Sequence, residues 1–171
     1  MAFSPDGQTL ATAGADNVLR LWRVADVLAG RTAEPRAALK GHTDFIRRVA
    51  WSNDGNRLAT ASQDRSVRLW SVDEPKEIAT LPHGSVVYGL ALSPDGKRLA
   101  SGCADNTIRI WDLATRDQVA ELRGHNYYVK SVTFSPDGEQ LVSASGDYTV
   151  RVWDTLSVQE RPARGRAPAA K

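Results

Sequence analysis

The chain repeats itself, and that repeat constrains its fold more than any other property. Ser4-Pro5-Asp6-Gly7 returns as Ser52-Asn53-Asp54-Gly55, Ser93-Pro94-Asp95-Gly96 and Ser135-Pro136-Asp137-Gly138, at offsets of 48, 41 and 42 residues. Trp22, Trp70, Trp111 and Trp153 keep the same three offsets. So do Asp16, Asp64, Asp105 and Asp147, each six residues before its tryptophan, and His42, His83 and His125 each stand 28 residues before one. Units of this size cannot bury their apolar surface alone, so the chain must stack them one on another.

Within a unit the period is two. Thr149-Val150-Arg151-Val152, Thr107-Ile108-Arg109-Ile110 and Ser66-Val67-Arg68-Leu69 alternate apolar with polar residues up to the tryptophan, the pattern of a half-buried strand. Val129, Val132 and Phe134 match Ile46, Val49 and Trp51 before the Ser-Pro-Asp-Gly turn. In that turn proline presets φ, aspartate bonds the local backbone and glycine accepts φ > 0. Arg98-Leu99-Ala100-Ser101 and Gln140-Leu141-Val142-Ser143 give another strand after it, and Val119-Ala120-Glu121-Leu122 a weaker one before the histidine. Four short strands per unit of 41 or 42 residues describe one blade of a propeller.

Gly124-His125, Ser135-Pro136-Asp137-Gly138, Asp147 and Trp153-Asp154, with Trp111-Asp112 closing the unit before, resemble the signature of WD-repeat β-propellers over about residues 1–158. Trp22-Arg23 and Trp70-Ser71 lack the final aspartate, and Pro82 replaces the glycine before His83. The expected fold class is therefore all-β, a partial propeller of about four blades built from four-stranded antiparallel sheets. The expected units are 1–39, 40–80, 81–122 and 123–158. The resemblance further implies hydrogen-bonded structural tetrads: His42, Thr60, Asp64 and Trp70; His83, Ser101, Asp105 and Trp111; His125, Ser143, Asp147 and Trp153. Thr12, Asp16 and Trp22 form an incomplete fourth set.

Serine, histidine and aspartate together invite a catalytic reading. A nucleophile, however, is needed once, beside an oxyanion site, whereas this set recurs in each complete unit as a structural device would. No catalytic residue is therefore expected. Nor is a metal: the three histidines belong to successive blades, packed sheets sit about 10 Å apart, and zinc holds its nitrogens at about 2.0–2.1 Å. Nothing calls for a cofactor. Cys103 holds the position of Ser62 and Ser145 and reads as a small buried hydrophobe rather than a reactive thiol. A lone cysteine cannot form an intrachain disulfide.

Charge narrows the partner classes. Arg161, Arg164, Arg166 and Lys171 are concentrated in residues 161–171. Setting those four aside from 22 basic residues leaves 18 against 20 acidic ones, a body near −2. Interleaved prolines and alanines predict that 159–171 is a basic, disordered tail. No basic or aromatic stripe in the body continues it, which argues against nucleic acid as a partner. No run of about 18 apolar residues predicts a membrane span, and the N-terminus lacks signal-peptide regions, so the expected address is cytoplasmic.

A protein partner is the expectation that remains. Propellers of this kind usually grip partners on the face carrying the histidine loops and aspartate turns, and positions that differ between units should carry specificity. These are Thr43, Phe45, Arg47 and Gln63 in the second unit, Val86, Tyr88 and Ala104 in the third, and Asn126, Tyr128, Lys130 and Gly146 in the fourth. Aromatics beside arginine and lysine have the composition of an interface core, and Tyr127 next to Tyr128 fits the same use. The first unit is longer by six or seven residues within Ala25 to Pro35, an insertion expected in a loop on the opposite face, and Ala29 to Pro35 reads as an irregular excursion. Met1 falls where Val49, Leu90 and Val132 fall, inside a strand, and propellers close with about 4–8 blades. The expectation is thus a non-catalytic interaction scaffold, cut from a larger propeller protein or pairing as a homodimer to close the ring. The alternative is the regulatory propeller of a multidomain enzyme, a kinase or NTPase, whose catalytic domain lies elsewhere.

Overall fold

The computed structural model describes residues 1–30 and 34–155. Its strands run in chain order as four antiparallel meanders. The first sheet holds β1 (Ala2–Phe3), β2 (Thr9–Thr12), β3 (Leu19–Arg23) and β4 (Ala37–Leu39). The second holds β5 (Ile46–Trp51), β6 (Arg57–Ser62), β7 (Ser66–Ser71) and β8 (Lys76–Pro82). The third holds β9 (Val87–Leu92), β10 (Arg98–Cys103), β11 (Ile108–Asp112) and β12 (Gln118–Leu122). The fourth has β13 (Val129–Phe134), β14 (Gln140–Ser145) and β15 (Val150–Asp154), three strands among the described residues. The fold is all-β, and among the described residues its four sheets are propeller blades that do not close into a ring. The second blade runs to Pro82, two residues beyond the expected unit end at 80. The expected missing strand near 160–164 and the basic tail 159–171 lie outside the described residues.

One expectation needs correction. The insertion after β3 does not begin as a loop: Val24–Leu28 forms a single helical turn, α1, ahead of the stretch from Ala29. Ala29 N–H bonds Ala25 C=O at 3.1 Å, and Gly30, at φ 64°, ends the turn where a side chain would strain it. Residues 31–33 lie outside the described residues.

The core sits between blades rather than within them. Ala11, Leu19 and Leu21 of the first blade pack on Ile46, Val49, Leu58 and Trp70 of the second. Ala59, Ala61, Val67 and Leu69 then pack on Val87, Leu90, Leu99 and Trp111. Ala100, Ile108 and Ile110 meet Val129, Val132 and Leu141. Each blade thus offers one face of small and branched residues and another bearing the tryptophan. Among the described residues nothing covers the fourth blade's small-residue face in this way: Val150 is 67% exposed, against 0% for Val67 and Ile108 at the same register.

Two local devices fix the blade ends. In the Ser-x-Asp-Gly turns the serine hydroxyl donates to the aspartate, 2.5 Å in Ser52–Asp54, and the glycines hold φ of 69–74°. At the opposite end, the innermost strands β5, β9 and β13 each slip register by one residue at a β-bulge. Ile46 and Arg48 pair with Ser62 and Ala61, leaving Arg47 extra; Tyr88 and Lys130 are the extra residues in β9 and β13.

Candidate partner-binding face

The histidine loops, which precede β5, β9 and β13, and the aspartate turns, which follow β6, β10 and β14, lie at one end of the blades. Two complete relays tie them together. Trp70 Nε1 donates to Thr60 Oγ1 at 2.8 Å, Thr60 meets His42 Nε2 at 2.6 Å, and His42 Nδ1 meets Asp64 at 2.7 Å. Indole is only a donor and an ionised carboxylate only an acceptor, so the hydroxyl donates to Nε2 and Nδ1–H donates to Asp64. Asp64 also accepts from Thr43 N–H at 3.1 Å, which fastens the loop to the turn. In the fourth blade Trp153, Ser143, His125 and Asp147 repeat this at 2.8, 2.7 and 2.8 Å. The first blade keeps Trp22 Nε1 on Thr12 at 2.8 Å, while Asp16 pairs with Arg20.

The third set departs from the expected tetrad. His83 Nε2 meets Ser101 at 2.8 Å, but Nδ1 donates to Leu81 C=O at 3.0 Å instead of to Asp105. Asp105 turns to Arg109, 2.6 Å away, and buried Trp111 Nε1 has no partner among the described residues. Pro82 gives the physical reason. In the sister blades a Cβ at Gly41 or Gly124 would fall 3.1 Å from the tryptophan Cη2, so a proline there crowds the ring and the loop or the tryptophan must shift to take it. The His83 and Trp111 rings accordingly lie closer, 5.1 Å between centroids against 6.2 and 6.0 Å.

These groups are electrostatically set for structure. Burial lowers the His42 pKa more than its bond to Asp64 raises it, and burial takes His83 down to about 4, so both rings are neutral at neutral pH. Burial pushes against ionisation of Asp64, but hydrogen bonds from Ser66, His42 and Thr43 N–H outweigh it and keep its pKa low. The same contest at Asp105, won by bonds from Arg109 and Thr107, brings it to about 2. Burial raises the Cys103 thiol to about 11, so it carries no thiolate to act as a nucleophile. Among the described residues no three His, Cys, Asp or Glu side chains gather as a metal ion would need.

Above the relays, the residues expected to differ for specificity partly converge. Arg47 lies over the Phe45 ring at 5.7 Å and the Tyr88 ring at 5.8 Å, and bonds Gln63. Tyr88 packs on Tyr128 at 5.3 Å, and Tyr128 on Tyr127 at 4.8 Å. Gly146 makes room for the pair, since a Cβ there would stand 2.6 Å from Tyr127 Cδ1. Arg47, Tyr88, Tyr128 and Lys130 line a groove of about 510 Å³ together with Arg48, Ser131 and Ala144. Thr43 and Asn126 are exposed and spend their N–H groups on Asp64 and Asp147. Val86 is half-buried, its carbonyl engaged by Ala104 N–H at 2.9 Å. Among the described residues, no hydrogen bond or ring contact joins these three side chains to the cluster.

Sequence reasoning missed Arg48 and Ser131. Strict alternation sends neighbours to opposite faces, so selecting Arg47 and Lys130 excluded them, but a bulge turns consecutive side chains to the same side. The available signal was the variation Arg48, Gly89, Ser131 at one register position.

The family model for the WD domain, G-beta repeat, matches this chain four times, over residues 1–23, 33–71, 75–112 and 116–154. Each full-length match opens on or near the outermost strand of one sheet and ends with the third strand of the next, so a sequence repeat straddles two blades. No curated protein matches the chain. Among the described residues no helix is long and apolar enough to cross a membrane.

Proposed function

The chain belongs to the WD-repeat family, whose repeats generally mediate protein–protein interaction and are typically non-catalytic, and from that premise we propose that it is a cytoplasmic scaffold that holds a protein partner on the histidine-loop face. One observation carries the reading: variable residues of three blades meet in one cluster, with Arg47 spanning Phe45 and Tyr88, and Tyr88 packed on Tyr128. Rigid aromatics beside arginine are the groups that dominate interface energetics. The repeated residues beneath are occupied with holding loops to turns, which leaves the variable ones to set specificity. Tyrosine offers a large contact area with few rotatable bonds, so ordering it on binding costs little.

The test is affinity capture with the full chain. The Tyr88→Ala/Tyr128→Ala variant should lose a discrete set of bound proteins at least about tenfold, as hot-spot truncations of about 2 kcal/mol or more do. Ile78→Ala and Val119→Ala, exposed on the outermost strands, should retain it. Capture that survives the tyrosine changes but fails on the outer-strand ones would move the interface to the blade rims and refute the reading.

A further inference from the structure

We propose that the groove beside the three bulges binds an acidic segment of the partner protein, an inference that rests on the partner-binding reading of this face. The lining brings Arg47, Arg48 and Lys130 together and includes no carboxylate. Other cations of the blades stand beside a carboxylate, Arg20 with Asp16, Arg68 with Glu77, Lys76 with Glu74 and Arg109 with Asp105, whereas here three cations line one groove without one. The body outside residues 161–171 carries more acid than base, so the unmatched cluster runs against the general composition. Three like charges in one groove repel one another, and an anionic ligand relieves that repulsion.

The bulges make the cluster. In β5 the extra residue turns Arg47 and Arg48 to one side, and in β13 it does the same for Lys130 and Ser131. Gly89 lets the innermost strands close up, since a Cβ there would meet the Ser131 backbone at 3.1 Å. Arg47 is held in place by Gln63 and by the two rings it crosses, so its planar guanidinium is oriented before a ligand arrives. Arg48 and Lys130 are exposed and have no ion pair among the described residues. Tyr88 and Tyr128 wall the groove, and its volume of about 510 Å³ suits a short stretch of peptide. A nucleic acid fits less well, because among the described residues the cations lining the groove are these three, too few to follow a phosphate backbone.

Fluorescence anisotropy on the full chain tests this, with fluorescein-labelled hexaglutamate as probe and hexalysine, a glycine–serine hexapeptide and oligothymidylate for comparison. Hexaglutamate should bind saturably and in preference to the others. Arg48→Gln/Lys130→Gln should raise its Kd about tenfold or more, with the fold checked by circular dichroism. Added salt should weaken the wild type more than this variant. Replacing Arg161, Arg164, Arg166 and Lys171 by glutamine should change nothing. No binding, binding indifferent to Arg48 and Lys130, binding lost with the tail charges, or preference for oligothymidylate would each overturn the proposal. If hexaglutamate fails while Tyr88→Ala/Tyr128→Ala still releases captured proteins, the acidic chemistry falls and the partner-binding face stands; if both fail, both readings fall.

Discussion

The departure in the third blade predicts that two like hydroxyls differ in worth. Thr60 is fully buried and serves two donor–acceptor partners, Trp70 Nε1 and His42 Nε2. Thr60→Val keeps the shape and leaves both partners buried and unpaired, at about 1–3 kcal/mol each, so about 2–6 kcal/mol in all. Ser101 is equally buried, but Trp111 Nε1 already lacks a partner, so Ser101→Ala orphans only His83 Nε2 and costs about 1–3 kcal/mol. The expected gap is one orphaned group, on the order of 1–3 kcal/mol. Urea unfolding followed by tryptophan fluorescence measures it if the variants share an m-value. Stacked repeats need not unfold in one step, so hydrogen exchange of β6 and β10 amides gives the blade-resolved comparison. Thr60→Ser, which keeps the hydroxyl, should retain most of the difference. A Thr60→Val cost no larger than that of Ser101→Ala would refute the idea that the third relay is broken.

Other outcomes follow from the same geometry. His83 has a folded pKa of about 4, below its ordinary 6.5, so the unfolded chain takes the proton first; the His83 contribution to stability should fall as pH drops from about 6.5, level off below about 4 and amount to at most about 3 kcal/mol, and His83→Gln should remove that part of the slope in pH-dependent urea melts, an unchanged slope refuting it. Tyr148 holds φ 65° where the first and third blades place Asn17 and Asn106, so Tyr148→Asn should stabilise by up to about 1 kcal/mol in the same melts, and a loss would refute backbone strain there. Gly146→Ala has an allowed φ but must push Tyr127 and Tyr128 aside, costing about 1 kcal/mol of overpacking and shifting both tyrosine ring resonances by NMR; unshifted rings would refute the packing. Val67→Asp buries a carboxylate and should cost several kcal/mol, whereas Val150→Asp should stay within about 0.5 kcal/mol, and equal costs would mean that the open face of the fourth blade is covered in solution.

Much of this architecture was legible because it is periodic. Alternation located β7, β11 and β15, and the recurring proline–aspartate–glycine chemistry located the turns between β9 and β10 and between β13 and β14. The relay partners of His42 and His125 lay at fixed spacings in the sequence. What escaped was whatever depends on one blade's response to its own residues. Pro82 is visible as a substitution, but that it disengages His83 from Asp105 follows only from the crowding of Trp111. The α1 turn is too short to show a helical period. The bulges at Arg47, Tyr88 and Lys130 break the two-residue rule on which face assignment rests, and they bring Arg48 into the groove. That Phe45, Tyr88 and Tyr128 share neighbours is a property of three strands far apart in the chain.

The offset between sequence repeat and blade has a mechanical consequence. β4, β8 and β12 begin the stretches of sequence that go on to build the following sheets, yet each is hydrogen-bonded into the sheet before. Every joint between neighbours is therefore covalent on one side and laced by a backbone ladder on the other. A blade pulled away from its neighbour by its chain must first peel that ladder open, bond after bond. Tension along the polypeptide is met by the outer strands in sequence, as in a row of clasps, before it reaches the apolar seams between the sheets.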